Sequence, residues 1–321
     1  MNKLALICAT ILPSLAAGDG AREITIGSLA PDQGTLVRYE NRYLMCLRPL
    51  RAVGLWGLDG RRIYETEVSP PPSNLPTEHR FWEGVSDATV DNDGFVAAAV
   101  SFRVWENAPD GKSEKVTTSG PFGGIVVLDK AGIQTEFVGT GRYLPIRICF
   151  DRNHQIWTLG SERDGGNEFL LHEYSREGKQ IGAYVQRSTL PHQLPISEFY
   201  GSFLRSGGDR IGALLVSGPA SEDAEWFEVD LLGRLIGRWS VKEEYLNGGV
   251  ASRGVALTAS GKAYARSTQR ISTFDASTAS WKTVKLDSNL DRLLGADGEE
   301  LVFILSKEDT TRLTWVTAPT Q

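Results

Sequence analysis

The sequence predicts an all-β protein, a six-bladed β-propeller built from four-stranded antiparallel blades. Three observations predict this fold. A unit of two β-hairpins recurs along the chain, and no segment after the N-terminal stretch has the apolar spacing of an amphipathic helix. Six units over roughly 300 residues give about 50 residues each, the size of a propeller blade. The chain has 321 residues, 41% hydrophobic, with 34 glycines, a globular composition rich in turns.

The first hairpin of each unit is a strand, a tight turn and a second strand. Its copies are Val85–Ala99, Pro145–Leu159, Phe199–Val216, Ser252–Arg266 and Leu290–Leu305, with a shorter copy at Leu36–Leu47. The second hairpin has an Asx- or Gly-type turn. These turns lie at residues 57–62, 128–133, 174–179, 229–234 and 274–279. The regular spacing favours a propeller over a two-sheet sandwich, the alternative all-β arrangement.

The last unit shows only three strands, whereas an unassigned strand lies near the N terminus at about residues 23–29. We expect this N-terminal strand to join the last blade from the outside. That pairing would close the ring and protect a sheet edge that an open array would expose.

Residues 1–18 have the pattern of a secretory signal peptide. Lys3 is followed by a largely apolar run, Leu4–Leu12, and then by the small residues Ser14, Ala16 and Ala17. We therefore expect an exported protein, periplasmic or extracellular, whose residues 19–321 form a single propeller domain. A retained anchor helix is the alternative, although the apolar run falls short of the roughly 20 residues that span a membrane.

Cysteine content and net charge narrow the function classes. Without the leader only Cys46 and Cys149 remain, and each lies in an apolar stretch. We expect two buried core thiols, with a disulfide as the alternative. The formal net charge of -6 argues against a general partner for nucleic acid or anionic membranes, and the predicted mature chain has no membrane span.

The hairpin sequence SRGVALTASGKAYAR at Ser252–Arg266, together with PIRICFDRNHQIW at 145–157, resembles the NHL-repeat hairpin. The chain is similar to six-bladed propellers that include NHL proteins, the gluconolactonase-like (TolB-like) calcium hydrolases and the peptidyl-hydroxyglycine lyases. This resemblance implies the fold. Because such scaffolds serve both enzymes and pure binding modules, function has to be argued from the site.

Long connections are concentrated on one face of the predicted ring. Turns within the first and second hairpins are short, whereas the links between blades and between the two hairpins of a blade carry insertions. The insertions are Ser69–Gly84, Glu106–Pro121, Ser161–Glu168, Arg187–Glu198 and Ser217–Glu225. We expect this long-loop face to bear the function; neutral drift in tolerated loops is the alternative.

Aligning the innermost strands gives candidate ligand-binding residues at the channel mouth. They are Trp82, Glu83, Asp87, Arg147, Tyr200, Arg253 and Asp291, with Trp82 and Glu83 expected in a loop above Asp87. Arginines with aromatic neighbours suit a carboxylate, a phosphate or a peptide. The alternative is a set of ion pairs that only seals the channel, because buried charges must be paired whatever their role.

A metal or a catalytic centre is the weaker expectation. The resemblance to lactonase-like hydrolases implies calcium held by Glu83, Asp87 and Asp291, with a metal-activated water, but the nearby Arg147 and Arg253 would repel a cation. No histidine aligns with the channel, so the zinc of the lyases is not expected. The segment DNDG at 91–94 is expected to be a hairpin turn rather than a calcium loop, and no catalytic residue is singled out.

The function that the sequence favours is a binding module that holds a small molecule, a peptide or a protein on the long-loop face. The alternative is a calcium-dependent hydrolase or lyase of the lactonase-like class.

Overall fold

A computed structural model describes most of the chain. It covers residues 14–15, 22–25, 36–48, 52–68, 80–106, 117–162, 169–189, 202–216, 223–242, 254–266, 270–275, 280–287, 289–307 and 310–318. Within these residues it has 25 strands, grouped into six antiparallel sheets, and each sheet is one blade.

Blades one to three each contain four consecutive strands, numbered from the innermost outward. Blade one has β3 (Leu36–Glu40), β4 (Tyr43–Arg48), β5 (Ala52–Trp56) and β6 (Arg62–Glu67). Blade two has β7 (Arg80–Val90), β8 (Val96–Glu106), β9 (Thr117–Leu128) and β10 (Gln134–Gly141). Blade three has β11 (Tyr143–Phe150), β12 (Ile156–Glu162), β13 (Phe169–Tyr174) and β14 (Gln180–Gln186).

The remaining blades follow the same order, and the two last gain strands from the N-terminal part. Blade four has β15 (Phe203–Gly207), β16 (Arg210–Val216), β17 (Asp223–Asp230) and β18 (Leu235–Lys242). Blade five has β19 (Val255–Leu257), β20 (Ala263–Arg266), β21 (Arg270–Asp275) and β22 (Ser280–Leu286), with the two-residue β1 (Ser14–Leu15) pairing in parallel outside β22. Blade six has β23 (Leu290–Asp297), β24 (Glu300–Lys307), β25 (Thr310–Thr317) and β2 (Glu23–Thr25).

The predicted ring closure is confirmed. Strand β2 pairs antiparallel with β25, with Ile24 opposite Leu313, so the chain's N-terminal segment forms the outer strand of blade six. An Arg312–Glu23 ion pair of 3.2 Å links the same two strands. The N- and C-terminal parts of the chain therefore hold one sheet together, as the unassigned strand and the three-stranded last unit predict.

Six apolar clusters hold the ring together, one between each pair of neighbouring blades. The cluster that closes the circle joins blade six to blade one and contains Trp56, Leu313 and Trp315. Trp157 and Trp226 are almost fully buried at two further interfaces. These tryptophans therefore pack between neighbouring blades.

Hairpin turns repeat one hydrogen-bonding pattern. At Asp91, the turn predicted from DNDG, the side-chain Oδ1 accepts from the backbone N–H of Asp93 and Phe95, both at 2.9 Å. Asp129, Asp151 and Asp230 bond to their own turns in the same way. The side chain replaces backbone partners that the turn leaves unpaired, which is why Asp is favoured there.

Blade two is taller than sequence analysis predicts. Its first three strands have 11, 11 and 12 residues, so the loop predicted at Trp82 and Glu83 is wrong: both lie in β7. Pairing with β8 overrides the turn-forming residues nearby, and the misfit appears as irregular register between Trp82 and Gly84 and between Val85 and Asp87, where bulges absorb extra residues. Much of the remaining predicted loops lies outside the described residues.

Cys46 and Cys149 are buried and are not joined in a disulfide, as expected for core thiols, and burial raises the pKa of the Cys149 thiol. In the part of the chain that the structure describes, no helix is long and apolar enough to cross a membrane.

Candidate functional site

A buried ion pair occupies the middle of the central channel. Nη1 of Arg38, on the innermost strand of blade one, donates to Oδ1 of Asp87 in blade two at 2.8 Å. The same nitrogen lies 3.2 Å from the carbonyl oxygen of Ile148 in blade three. Arg38 is 2% exposed and Asp87 1% exposed. One arginine therefore joins three neighbouring blades at the axis of the ring.

Both oxygens of Asp87 are engaged. Oδ1 accepts from Arg38, and Oδ2 accepts from the backbone N–H of Ile148 at 3.1 Å. This arrangement satisfies the carboxylate without a metal ion, as buried charges require.

Glu40 extends the network toward the short-turn face. Its Oε1 pairs with Nη2 of Arg38, and its Oε2 accepts from the Thr89 hydroxyl at 2.6 Å. Burial alone lowers the pKa of Arg38, but the charges of Asp87 and Glu40 outweigh it and raise that pKa above its usual range. The guanidinium therefore stays charged, and it has two carboxylate partners, Asp87 and Glu40.

Arg147, one of the predicted ligand-binding residues, is half-buried on β11. Its Nε donates to the carbonyl oxygen of Ser202 in blade four, and its Nη1 lies 3.4 Å from the carbonyl oxygen of Ser86 in blade two. Arg147 therefore links three consecutive blades, two to four, as Arg38 links blades one to three. Its guanidinium donates to backbone carbonyl oxygens on both neighbouring blades.

The structure places the other predicted residues as follows. Asp87 and Arg147 lie on adjacent inner strands, whereas Asp291 is half-buried near the start of β23, across the ring from blade three. Trp82 and Glu83 lie in β7, but their side chains are not among the described features. Tyr200 and Arg253 lie outside the described residues.

A second cluster lies on the short-turn face between blades two and three. Nδ1 of His154 lies 3.0 Å from Oδ2 of Asp91, and Asp93 completes a group whose donor atoms lie within 4.8 Å. Arg176 supplies positive charge there already, 3.7 Å from Asp91 and 3.6 Å from Asp93. These contacts link the turns of blades two and three. His154 itself occupies the left-handed position of its turn, with φ of 61°, where the equivalent turns have glycine.

Sequence analysis missed Arg38 and Glu40. Both lie in the short hairpin at Leu36–Leu47, and the signal was available: Val37 and Tyr39 are the buried apolar partners in an alternating strand, so Arg38 and Glu40 share the other side. Two charges on an innermost strand must either meet counter-charges in the channel or reach solvent.

Comparison with known proteins identifies the fold. The sequence matches no family model and no curated protein. Among solved structures, a protein of unknown function from Dyadobacter fermentans has a TM-score of 0.53 and 9% identity, covering 96% of this chain and 100% of that one. A gluconolactonase from Xanthomonas campestris has a TM-score of 0.50 and 13% identity over 95% of both chains. A protein of unknown function from Bacteroides caccae has a TM-score of 0.50 and 9% identity, covering 85% and 83%.

This chain has the six-bladed β-propeller fold. The expected likeness to a gluconolactonase-like propeller is confirmed at the level of architecture, and at these identities it shows the fold alone.

Proposed function

We propose that the protein is a binding module that holds a small molecule, a peptide or a protein on its long-loop face. The observation that carries the proposal is the state of Asp87. Both of its oxygens are used by protein donors, so the channel carboxylate that a calcium site would need is already neutralised by Arg38. A channel carboxylate whose oxygens are occupied by protein donors favours a binding role over metal-assisted hydrolysis.

The tall part of blade two supplies a surface for a partner. Strands β8 and β9 stay paired out to Glu106 opposite Thr117, beyond the ends of the inner strands of other blades. Phe102 stacks on Phe122 with ring centroids 5.6 Å apart, which stiffens the base of this extension. A rigid sheet that projects from the long-loop face offers a partner both a face and an edge.

The alternative is a calcium-dependent hydrolase or lyase of the lactonase-like class. A gluconolactonase shares the fold over 95% of both chains, and Glu83, Asp87 and Asp291 remain the carboxylates that would hold calcium. That function would require Arg38 to leave Asp87. Export through residues 1–18 is part of either proposal.

The two functions separate in a melting experiment with and without calcium. A site filled at one hundred times its Kd adds about 2.7 kcal/mol to the free energy of unfolding. We expect the same melting temperature in millimolar calcium and in EDTA, with lactones hydrolysed at the buffer rate. A calcium-dependent rise in melting temperature together with lactone turnover that Asp291→Asn abolishes would establish the hydrolase instead.

The binding proposal has its own screen. A library of small acids and peptides is tested by thermal shift on the wild type and on a variant whose β8–β9 hairpin is cut back above Phe102. We expect ligands that stabilise the wild type and not the shortened variant, while Arg61→Ala, on the opposite face, responds like the wild type. The proposal is contradicted if no ligand in the library distinguishes the wild type from the shortened variant.

A further inference from the structure

A cavity of about 230 Å³ lies on the axis of the ring at its short-turn end. All six blades line it, with one residue from each being Tyr39, Asn92, Arg152, Arg205, Leu257 and Ala296. These residues lie at or beside the turns that follow the innermost strands, on the face opposite the long loops. At about 30 Å³ per water molecule, the cavity has room for about eight waters or a small organic ligand.

The cavity is walled partly by backbone. A Cβ at Gly295 would lie 2.2 Å from the carbonyl oxygen of Tyr39, so the inner strands of blades six and one approach more closely than a side chain would allow. Its rim is polar and open to solvent, because Asn92 and Arg152 are both exposed. The site is therefore a rigid pocket that a ligand can enter without opening the ring.

Arg205 forms the buried cationic part of this pocket. It is 7% exposed. Its Nε donates to the carbonyl oxygen of Val255 at 2.9 Å, and its Nη1 donates to that of Leu204 at 2.8 Å. Among the described residues no carboxylate lies within 4.0 Å of the guanidinium, and Nη2 has no hydrogen-bond partner. Burial, followed by the charge of Arg38, lowers the pKa of Arg205 to about 10, and the charges of Glu40 and Asp87 offset only part of this effect. Arg205 is therefore still a cation at neutral pH.

Comparison with Arg38 shows that Arg205 has no carboxylate in direct contact among the described residues. The two arginines occupy equivalent positions, because β3–β4 and β15–β16 both close on two-residue turns. They lie in blades one and four, on opposite sides of the channel. Arg38 has Asp87 and Glu40 as counter-charges in direct contact, whereas the direct hydrogen-bond partners of Arg205 are carbonyl oxygens and the same two carboxylates act on it only from a distance. A buried guanidinium that is oriented by carbonyl oxygens and has no carboxylate in direct contact is suited to bind an anion that enters the cavity.

We propose that the short-turn end of the channel is a binding site for a small carboxylate, received by Arg205 at the base and steered by Arg152 at the rim. Carboxylate is favoured over phosphate because Glu40 and Asp151 also line the cavity, and they would repel a dianion more strongly than a monoanion. The same two groups favour a ligand with a hydroxyl or ammonium donor next to its carboxylate. This site lies on the other face from the proposed partner surface, so either proposal can fail alone.

The test measures stabilisation of the full chain by named probes in phosphate-free buffer. The probes are acetate, glycolate, glycine, inorganic phosphate, and one tripeptide with either a free or an amidated C terminus. We expect glycolate, glycine or the free-acid peptide to raise the melting temperature in a saturable way. The peptide pair distinguishes a chain-terminal carboxylate from a free acid, and either source supports the site.

Two variants locate the binding. Arg205→Met fills the same space without charge, and we expect it to weaken the apparent Kd of the responding probe about 10- to 100-fold, the usual effect of losing a hydrogen-bonded charge. Arg205→Lys keeps the charge, and we expect partial binding. Arg61→Ala, an exposed arginine on the same face outside the cavity, should bind like the wild type.

The proposal fails if no carboxylate probe stabilises the protein, if phosphate alone does, or if Arg205→Met responds like the wild type. If Arg205→Met does not fold, the comparison of Arg205→Lys and Arg152→Ala with Arg61→Ala decides. Equal affinity in all three variants would then overturn it.

Discussion

At the scale of single residues, two buried arginines at matching positions have opposite environments. Arg38 is in direct contact with Asp87 and Glu40, whereas no carboxylate among the described residues lies within 4.0 Å of the Arg205 guanidinium. Burying charge is unfavourable unless the geometry and the hydrogen bonds are good, and removing one partner of a buried pair leaves the other charge uncompensated. The two positions therefore respond differently to the same substitution.

Arg38→Met should lower the free energy of unfolding by about 3–5 kcal/mol, because Asp87 and Glu40 lose their counter-charge. Arg205→Met is the matched control, and it should change that free energy by less than about 1 kcal/mol or raise it. Denaturant unfolding at pH 7 measures both. Equal destabilisation by the two substitutions would show that Arg38 acts through packing rather than charge.

His172 makes the protein sensitive to acid. Its ring is buried and stacks on Tyr143 with centroids 3.7 Å apart, and burial lowers its pKa from 6.5 to about 4. The unfolded chain therefore binds a proton that the folded protein does not, so the contribution of His172 is complete above pH 6.5 and is lost progressively as the pH falls toward 4.

We expect this effect to remove about 2 kcal/mol of stability between pH 7 and pH 5, and His172→Phe to flatten that part of the profile while keeping the ring stack. The measurement is denaturant unfolding of both proteins at the two pH values. Parallel profiles would mean that other groups cause the acid sensitivity.

At the scale of elements, much of the fold is predictable because each hairpin carries local signals. The turn at 91–94 and its equivalents can be predicted from their Asp and Gly residues. The number of repeated units then predicts the number of blades. The extension of β7 through Trp82 and Glu83 is not predictable in this way, because it depends on pairing with β8 rather than on local preference.

The candidate site is less predictable than the fold. Asp87 can be recognised as a channel residue from the alignment of inner strands. Its partner cannot be recognised so easily, because Arg38 is 49 residues away in sequence, and only the closed ring brings them together. Arg205 cannot be recognised from the sequence either, because the partner that we propose for it is an external carboxylate rather than another residue of the chain.

The role of strand β2 can be tested by a proline pair. Trp315 donates to the carbonyl oxygen of Arg22, and hydrogen-bonded pairs alternate along an antiparallel ladder, so Ile24 and Leu313 form the next such pair. Ile24→Pro should remove this bond, lower the free energy of unfolding by about 1–3 kcal/mol, and expose the edge of β25 to dimerisation.

Thr25→Pro is the matched control for this strand, because the N–H of Thr25 points away from β25 and proline is tolerated at such edge positions. It also leaves the Arg312–Glu23 ion pair in place. Unfolding and size-exclusion chromatography measure both variants. Equal loss of stability, or none in either, would contradict closure of the ring by β2.

At the scale of the whole molecule, the ring is a rigid scaffold with different features at its two ends. The long-loop end carries the tall blade two and Arg147, and the short-turn end opens into the cavity above Arg205. Between them, Arg38 with Asp87 and Glu40 fills the channel, so the two ends are separate sites. The proposed binding function depends on this ion-paired group, because Asp87, one of the carboxylates that the calcium alternative needs, has both oxygens engaged by protein donors.

A structure determined from crystals grown in millimolar calcium tests most directly whether Arg38, rather than calcium, occupies Asp87. We predict that Nη1 of Arg38 remains within hydrogen-bond distance of Asp87 and that no calcium contacts this carboxylate. A calcium ion coordinated by Asp87, with Arg38 turned away, would contradict the account and support the hydrolase.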